Sequence, residues 1–211
     1  MKILIGQPKR ENELNQLEYE LKSNPEVDVV LFPEGYFNHE KVEKVCSMAL
    51  TYKTYIISGY RDENNKDRAF IVNPLGNIVL ERAKTPENKP LYTPSKVEDT
   101  RLKFGYLLCR EIFMGLDDMD TENADFIFNP IGVGMFSEEQ FKEWTAEAKK
   151  IAIKQKTYVI GASHADGSYR NCGFSIPLAF CYDKNGNEVL VSKNDLTTRI
   201  LDLEIKKIEV I

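Results

Sequence analysis

The chain has 211 residues and a formal net charge of −5, and 42% of its residues are apolar, which is enough for a sizeable core. It contains no dense block of lysine and arginine, which argues against a nucleic-acid partner. No apolar run approaches the roughly 18 residues that a membrane-spanning helix needs.

The beginning of the chain and the cysteines indicate a cellular location. The opening segment MKILIGQPKRENE becomes charged too early for a secretory signal. Four cysteines lie scattered along the chain without a CxxC pair, which argues against a zinc site and against a disulfide framework. They are Cys46, Cys109, Cys172 and Cys181. We therefore expect a cytoplasmic protein with reduced thiols and no bound metal.

In the first half, apolar runs of strand length alternate with segments of helical periodicity. The run 2–6 predicts a first strand, and 27–32 is continuously apolar apart from Asp28, as expected of a strand buried on both faces. The run 55–60 predicts a third strand, and the segment RAFIVNPLGNIVLER predicts a hairpin with its turn at 74–77. Two helices are predicted from apolar residues that share one face: Leu14, Leu17 and Leu21 for the first, and Val42, Val45 and Ala49 for the second.

The second half repeats this pattern at an offset of about one hundred residues. VDVVLFP (27–33) matches ADFIFNP (124–130), and KTYIISG (53–59) matches KTYVIGA (156–162). AFIVNPLGNIV (69–79) matches AFCYDKNGNEV (179–189) without a gap. Three ordered matches that include a turn indicate an internal duplication.

The duplication predicts an α/β fold with one domain over residues 1–211. Helices would cover one face of the sheet in each half, and the two bare faces would pack together to bury their apolar side chains. The result is a four-layer α-β-β-α sandwich. Ser137 with Gln140 forms a predicted capping box at the start of the main helix of the second half. The repeat also aligns KFGYLLC with the N-terminal strand, which predicts that Cys109 lies near the end of a central strand.

Three reactive side chains are expected beyond strand ends, where α/β proteins place their ligands. Glu34 follows VVLFP, and it is either a solvated loop acid or a general base whose pKa is raised by apolar neighbours. Cys109 follows KFGYLL, and it is either a small buried hydrophobe or a nucleophile. Lys84 follows the hairpin, and it is either a surface lysine or a fixed positive charge for a thiolate and an oxyanion.

Histidine offers a rival mechanism. Cys109, His164 and Asn171 stand in the order that a Cys–His–Asn hydrolase uses, although the local signatures of such proteases are absent. His39 is interpreted as a surface loop residue. The other three cysteines lie in helix or strand patterns and are interpreted as structural.

Together these motifs resemble the nitrilase superfamily of carbon–nitrogen hydrolases over nearly the whole chain. LFPEGYF is similar to the glutamate motif, GNIVLERAKTP to the lysine motif, and YLLCREIF with ADFIFNP to the nucleophile motif. The resemblance implies the four-layer fold, with Glu34 as general base, Lys84 as catalytic lysine and Cys109 as nucleophile. It implies that the backbone N–H of Arg110 assists Lys84 at the oxyanion, and that no cofactor is needed.

This sequence departs from the superfamily pattern at two places that bear on the site. The second glutamate of the superfamily is best matched by Glu87, only three residues after Lys84, as an accessory residue that orients the substrate or Lys84. Cys109 is followed by Arg110 and Glu111 instead of the commoner Tyr-Asp pair, and the sequence does not explain these two charges.

The resemblance further implies a small amide or carbamoyl substrate, as for an omega-amidase or an N-carbamoyl amidohydrolase, with nitriles less favoured. Arg68 and Arg110 are candidates to hold a substrate carboxylate. A homodimer or higher homo-oligomer is expected, without a membrane or nucleic-acid partner. A catalytically weak relative that binds a metabolite or a protein is the alternative from another class.

Overall fold

The computed structural model describes residues 1–115, 124–168, 170, 172–205 and 207–211. The first half contains β1 (Lys2–Ile5), α1 (Asn15–Ser23), β2 (Val29–Leu31), β3 (Phe37–Asn38), α2 (Val42–Tyr52), β4 (Tyr55–Arg61), β5 (Asp67–Val72) and β6 (Ile78–Ala83). The remainder contains β7 (Lys96–Asp99), β8 (Leu102–Tyr106), β9 (Phe126–Ile131), α3 (Glu138–Gln155), β10 (Tyr158–Ser163), β11 (Leu178–Tyr182), β12 (Glu188–Lys193), β13 (Arg199–Asp202) and β14 (Lys207–Val210). None of the described helices combines the length and the apolar character needed to cross a membrane.

The strands form two sheets whose inner order repeats. The first sheet runs β14-β13-β1-β2-β4-β5-β6, with β3 beside β4, and the second runs β12-β11-β10-β9-β8-β7. In the first sheet β1, β2 and β4 are parallel and β5 and β6 antiparallel, and β8 to β12 repeat that arrangement in the second. Both hairpins carry a register shift at the same place, Ile71/Val72 and Cys181/Tyr182. The internal repeat found in the sequence is therefore a repeat of topology.

Alternation along the strands divides the core into three apolar layers. Ile3 and Ile5 of β1 join the layer between the sheets, while Leu4 faces α1 and α2. In β9, Phe126 and Phe128 join the same middle layer, while Ile127 faces α3. Because successive side chains of a strand point to opposite faces, each sheet is apolar on both faces and is covered on both. The architecture is the expected four-layer α-β-β-α sandwich.

Two local expectations need correction. The hydroxyl of Ser137 accepts the Gln140 backbone N–H at 3.1 Å, as in a capping box, but the Gln140 side chain accepts the N–H of Phe136, at 2.8 Å, and not that of Ser137. The strand before Cys109 is not central, because β8 has only the edge strand β7 beyond it. The added strands β13 and β14 extend the first sheet beyond β1, so the two halves differ at this edge.

Candidate active site

The structure brings the three predicted reactive residues to one pocket. Glu34 lies just beyond β2, Lys84 directly follows β6, and Cys109 begins a short 3-10 helix, Cys109–Phe113, that follows β8. All three line a cavity of about 300 Å³. The first two come from one half of the duplication and the third from the other, so the pocket lies where the ends of corresponding strands meet.

The three side chains are close enough to exchange protons. The Lys84 ammonium donates to Glu34 Oε1 at 2.6 Å, and its Nζ lies 3.8 Å from Oδ2 of Asp67. The thiol of Cys109 lies beside the Glu34 carboxylate, close enough that each group shifts the pKa of the other. A Cβ on Gly132 would lie 2.5 Å from Oε2 of Glu34, so only glycine leaves room for the carboxylate there. The geometry is that of a base held between a thiol and a cation.

The backbone around Glu34 is fixed by buried hydrogen bonds. The Ser58 hydroxyl donates to the carbonyl oxygen of Pro33 at 2.8 Å. His164 Nε2 lies 3.1 Å from the carbonyl oxygen of Glu34, and because a carbonyl only accepts, this nitrogen carries the proton. Burial lowers the pKa of His164 to about 4, with a further contribution from the Arg10 charge. His164 is thus a neutral buried donor that supports the base and does not line the pocket.

Cys109 adopts a strained backbone conformation. Its φ is 52°, a left-handed value that costs free energy for a residue with a side chain. The buried Asn129 amide donates to the carbonyl oxygens of Leu107 and Cys109, at 2.6 and 3.0 Å, and accepts from Trp144 Nε1 at 3.1 Å. The strand β9 and the helix α3 therefore hold the nucleophile candidate in this conformation.

The charges after Cys109, which the sequence left unexplained, have separate roles. Glu111 is buried and accepts two hydrogen bonds from the buried Arg82, at 2.8 and 2.6 Å. Its carboxylate also accepts the backbone N–H of Thr85 and of Leu108, each at 2.7 Å. Thr85 follows Lys84 and Leu108 precedes Cys109, so one carboxylate ties together the two segments that carry reactive groups.

The protonation states follow from burial and from these charges. Burial raises the pKa of Glu34, and Asp67 adds to the rise, while Lys84 and the Cys109 thiol oppose it; the net pKa is above the ordinary value. Burial and the Glu34 charge raise the pKa of Cys109 to about 12. Burial lowers the pKa of Lys84, but the charges of Cys109 and Glu34 raise it by more. At neutral pH the thiol is therefore protonated and the lysine charged, and the thiol needs a base before it can attack.

Some predicted residues lie elsewhere. Glu87 is largely exposed, does not line the pocket, and pairs with Nε of Arg110 at 3.1 Å instead of contacting Lys84. Arg110 does line the pocket, whereas Arg68 pairs with Glu81 at 3.4 Å outside it. Asn171 lies outside the described residues. Among the described residues, no group of three or more His, Cys, Asp or Glu side chains is arranged to hold a metal ion.

Several pocket or supporting residues had no role in the sequence prediction, among them Arg10, Asp67, Asn129 and Gly132. Asn129 and Pro130 end the ADFIFNP motif of the nucleophile segment, so the sequence did contain a signal for Asn129. Asp67 is brought to Lys84 by the register of the hairpin, where the Lys84 N–H donates to the Asp67 carbonyl oxygen at 3.0 Å.

Comparisons with known proteins show which solved structures have a similar fold. No protein-family model matches the sequence, and no curated protein matches it. Among solved structures, Saccharomyces cerevisiae Nit3, a member of branch 10 of the nitrilase superfamily, aligns over 98% of this chain and 91% of its own, at 16% identity and a TM-score of 0.76. A carbon–nitrogen hydrolase from Helicobacter pylori G27 aligns over 98% and 90%, at 14% identity and a TM-score of 0.77.

A third similar structure is a mutant of the amidase from Nesterenkonia sp. AN1, solved after Michael addition of acrylamide at its active-site cysteine. It aligns over 96% of this chain and 93% of its own, at 13% identity and a TM-score of 0.73. These likenesses cover nearly the whole chain and both sheets. The chain therefore has the fold of the nitrilase superfamily of carbon–nitrogen hydrolases.

Proposed function

We propose that the protein is a cysteine-dependent hydrolase of non-peptide carbon–nitrogen bonds that acts on small amides. The observation that carries this proposal is the arrangement of Glu34 between the Lys84 ammonium, at 2.6 Å, and the thiol of Cys109 in one small pocket. A buried carboxylate with a raised pKa beside a protonated thiol is suited to general-base activation of that thiol.

The mechanism begins with transfer of the thiol proton of Cys109 to Glu34. The thiolate then attacks the carbonyl carbon of the amide, and the Lys84 ammonium with the backbone N–H of Arg110 stabilises the oxyanion. Glu34 returns the proton to the leaving nitrogen as the carbon–nitrogen bond breaks, which releases ammonia or an amine and leaves a thioester. Water then gives a proton to Glu34 and attacks the thioester carbonyl. As the carbon–sulfur bond breaks, Glu34 returns this proton to the sulfur of Cys109, and the carboxylic acid product is released.

Two contacts support this assignment against the histidine mechanism. His164 donates its ring N–H to the Glu34 backbone and has its pKa lowered to about 4, so it already has a structural partner. The pocket instead places Glu34 next to the thiol. Glu87, exposed and paired with Arg110, is given no step, and Asp67 takes its place as the second carboxylate near Lys84.

Amides are favoured over nitriles, and an omega-amidase or N-carbamoyl amidohydrolase type is the finer proposal. The amidase of similar fold carries acrylamide at its active-site cysteine, and an alanine mutant of it was solved with butyramide.

We further propose a homodimer in the cytoplasm, which sedimentation analysis and fractionation of cells would test.

The function is tested by ammonia release from a panel of small amides, carbamoyl amino acids and nitriles. Cys109→Ala, Glu34→Gln and Lys84→Ala should each remove nearly all turnover, and combining two of them should cost little more, because such groups act as a unit. His164→Ala should retain most of it. Loss of activity in His164→Ala but not in Lys84→Ala would establish the Cys–His–Asn mechanism instead.

The alternative of a metabolite- or protein-binding module is tested by alkylation. With iodoacetamide at neutral pH, Cys109 should react faster than the exposed Cys172, because Glu34 beside Cys109 can take up the thiol proton. Slower labelling of Cys109, together with no ammonia release from any member of the panel, would favour the binding module.

A further inference from the structure

The pocket carries an excess of positive charge, although the chain as a whole is acidic. Among the residues that the structure describes, four basic side chains and two carboxylates line it. The basic residues are Arg10, Arg61, Lys84 and Arg110, and the acidic ones are Glu34 and Asp67. The whole chain has a formal net charge of −5. A cleft lined mainly by one sign of charge attracts ligands of the opposite sign.

Arg10 differs from the other three cations. Arg61 lies 3.5 Å from Asp67, Arg110 lies 3.1 Å from Glu87, and Lys84 lies 2.6 Å from Glu34. The Arg10 guanidinium donates to the carbonyl oxygen of Gly132 at 3.2 Å, and none of the carboxylates that the structure describes forms an ion pair with it. A guanidinium with one backbone acceptor retains free donors in the fork that suits a carboxylate.

The position of Arg10 is fixed close to the reactive groups. Its own backbone N–H donates to Asp166 at 2.9 Å, and a Cβ on Gly167 would lie 2.9 Å from its Cζ, so the guanidinium lies directly on that glycine. Gly132, whose carbonyl it binds, lies against the Glu34 carboxylate, since a Cβ on Gly132 would be 2.5 Å from Glu34 Oε2. Arg10 therefore enters the same pocket as Glu34 and Cys109.

Part of the pocket lining is apolar. Its apolar residues are Ile131, Val133, Met135, Phe136 and Trp144, and the cavity has a volume of about 300 Å³. A ligand that suits both the cations and the apolar residues is small, with a short aliphatic or aromatic part and one anionic group. Burial of the apolar part supplies affinity, and the charge supplies orientation.

We propose that Arg10 is a specificity-determining residue that binds a carboxylate of the substrate, so that the preferred substrates are small amides that also carry a carboxylate. This inference rests on the proposed function, because it assigns the substrate class of the same site. Arg61 and Arg110 add to the positive potential but are already paired, so Arg10 makes the direct contact.

The test compares isosteric substrates that differ only in charge: succinamate, glutaramate and adipamate, each against its neutral diamide. At least one acid should have a kcat/KM about tenfold or more above that of its diamide, since charged hydrogen bonds discriminate at this level. Arg10→Gln should remove that preference and raise KM for the acid, with little change for the diamide. Arg101→Gln, an exposed arginine outside the pocket, is the matched control and should change neither value.

A second readout does not require turnover. Iodoacetate and iodoacetamide are also isosteric and differ in charge, and Cys172 provides an internal reference in the same molecule. The ratio of the two labelling rates should favour iodoacetate at Cys109 relative to Cys172, and Arg10→Gln should abolish the difference. The difference should also shrink at high salt, because screening weakens a partly exposed charge pair.

The outcomes separate the two proposals. The carboxylate preference would be overturned if the diamides are hydrolysed as fast as the acids and Arg10→Gln lowers both rates together. The amidase proposal would then remain intact. Absence of hydrolysis with an Arg10-dependent labelling ratio would overturn the amidase proposal and support the anion site. Absence of labelling at Cys109 by either reagent would overturn both.

Discussion

Arg82 and Glu111 form a buried ion pair with two hydrogen bonds, of 2.8 and 2.6 Å, between the end of β6 and the turn that carries Cys109. Their side chains are only 3% and 1% exposed, so water cannot replace either partner. The remaining donors of Arg82 reach the carbonyl oxygens of Ala83 and Pro94 and the hydroxyl of Ser95. The pair therefore has hydrogen-bond partners for its buried polar groups. Through Glu111 it fixes the distance between the segment that carries Lys84 and the segment that carries Cys109.

We expect this pair to position the catalytic groups as well as to stabilise the fold. Glu111→Gln leaves Arg82 without a counter-charge and should lower the free energy of unfolding by about 3–5 kcal/mol. The apolar double variant Arg82→Met/Glu111→Leu should recover much of that loss, since a packed apolar pair replaces a buried ion pair at little cost. Its kcat should nevertheless stay about a hundredfold below wild type with KM little changed, because small displacements of reactive groups have effects of this size.

Urea denaturation and amide turnover measure the two effects separately. The matched control is Glu18→Gln, which removes an exposed i,i+4 pair with Lys22 and should change stability little, because water screens that pair. If the double variant regains both stability and full kcat, the pair is only structural, and the positioning role is wrong.

The pH dependence of catalysis should follow the raised pKa of Glu34. The base works only when deprotonated, so kcat/KM should fall as the pH drops through the Glu34 pKa, at a pH above the ordinary glutamate value of 4.5. Asp67 raises that pKa through its negative charge. Asp67→Asn removes this charge, which makes the Glu34 carboxylate easier to form, so the acidic limb should move to lower pH.

The measurement is a pH–rate profile of kcat/KM for wild type and Asp67→Asn on one amide. Asp125→Asn, which removes a carboxylate that does not line the pocket, is the control and should leave the limb in place. A limb that stays fixed, or moves to higher pH, in Asp67→Asn would show that Glu34 is not the group that titrates.

The left-handed conformation of Cys109 predicts an unusual order of stability. With φ at 52°, Cys109→Gly should be at least as stable as Cys109→Ala, because glycine adopts positive φ without strain and alanine does not. At Cys181, a fully buried residue of β11 with no positive φ, the order should reverse, and Cys181→Gly should be the less stable variant. The difference between the two positions should be about 1–2 kcal/mol.

Four denaturation curves, for glycine and alanine at each position, decide this point. If the glycine variant is less stable than the alanine variant by the same amount at both positions, then the turn at Cys109 relaxes to an ordinary conformation once the thiol is removed. The conformation would then depend on the side chain, not on Asn129 and Glu111.

Much of the fold followed from the sequence because its signals are local and repeated. Apolar runs of strand length and the gapless match of the two hairpins predicted both sheets, and the bare face of each sheet predicted the packing of one on the other. The contacts of the site were harder to predict because they depend on register. The shift at Ile71/Val72 displaces the β5–β6 pairing by one residue and brings Asp67, rather than Lys66, opposite Lys84.

Two further parts of the site depend on long-range contacts that no spacing reveals. Glu111 binds Arg82, which is 29 residues earlier in the chain. The neighbouring sequence therefore does not explain why a glutamate stands two residues after Cys109. Arg10 reaches the pocket through the carbonyl oxygen of Gly132, 122 residues away. Glu87 was selected as the best match to the second glutamate of the superfamily, but the loop carries its side chain into solvent beside Arg110.

His164 provides the last prediction, because it couples stability to acid. Its pKa is lowered to about 4 in the folded protein, from an ordinary value of 6.5, since burial disfavours the charged ring. The unfolded chain therefore binds a proton near pH 6.5, whereas the folded chain resists it until about pH 4. Stability from this residue is fully present above pH 6.5 and is lost as the pH falls towards 4. Between pH 7 and 4.5 the loss should be about 2–3 kcal/mol.

The change is isolated by comparing wild type with His164→Gln, which keeps a side-chain N–H donor for the Glu34 carbonyl but does not titrate. The free energy of unfolding, measured in urea at pH 7 and 4.5, should fall by about 2–3 kcal/mol less in His164→Gln than in wild type. His39→Gln, at an exposed position, is the matched control and should behave as wild type. Equal acid sensitivity of wild type and His164→Gln would mean that His164 takes up its proton in the folded protein near its ordinary pKa. The neutral donor assigned to the backbone of Glu34 would then be wrong, and a charged histidine beside the base would return the Cys–His–Asn mechanism to consideration.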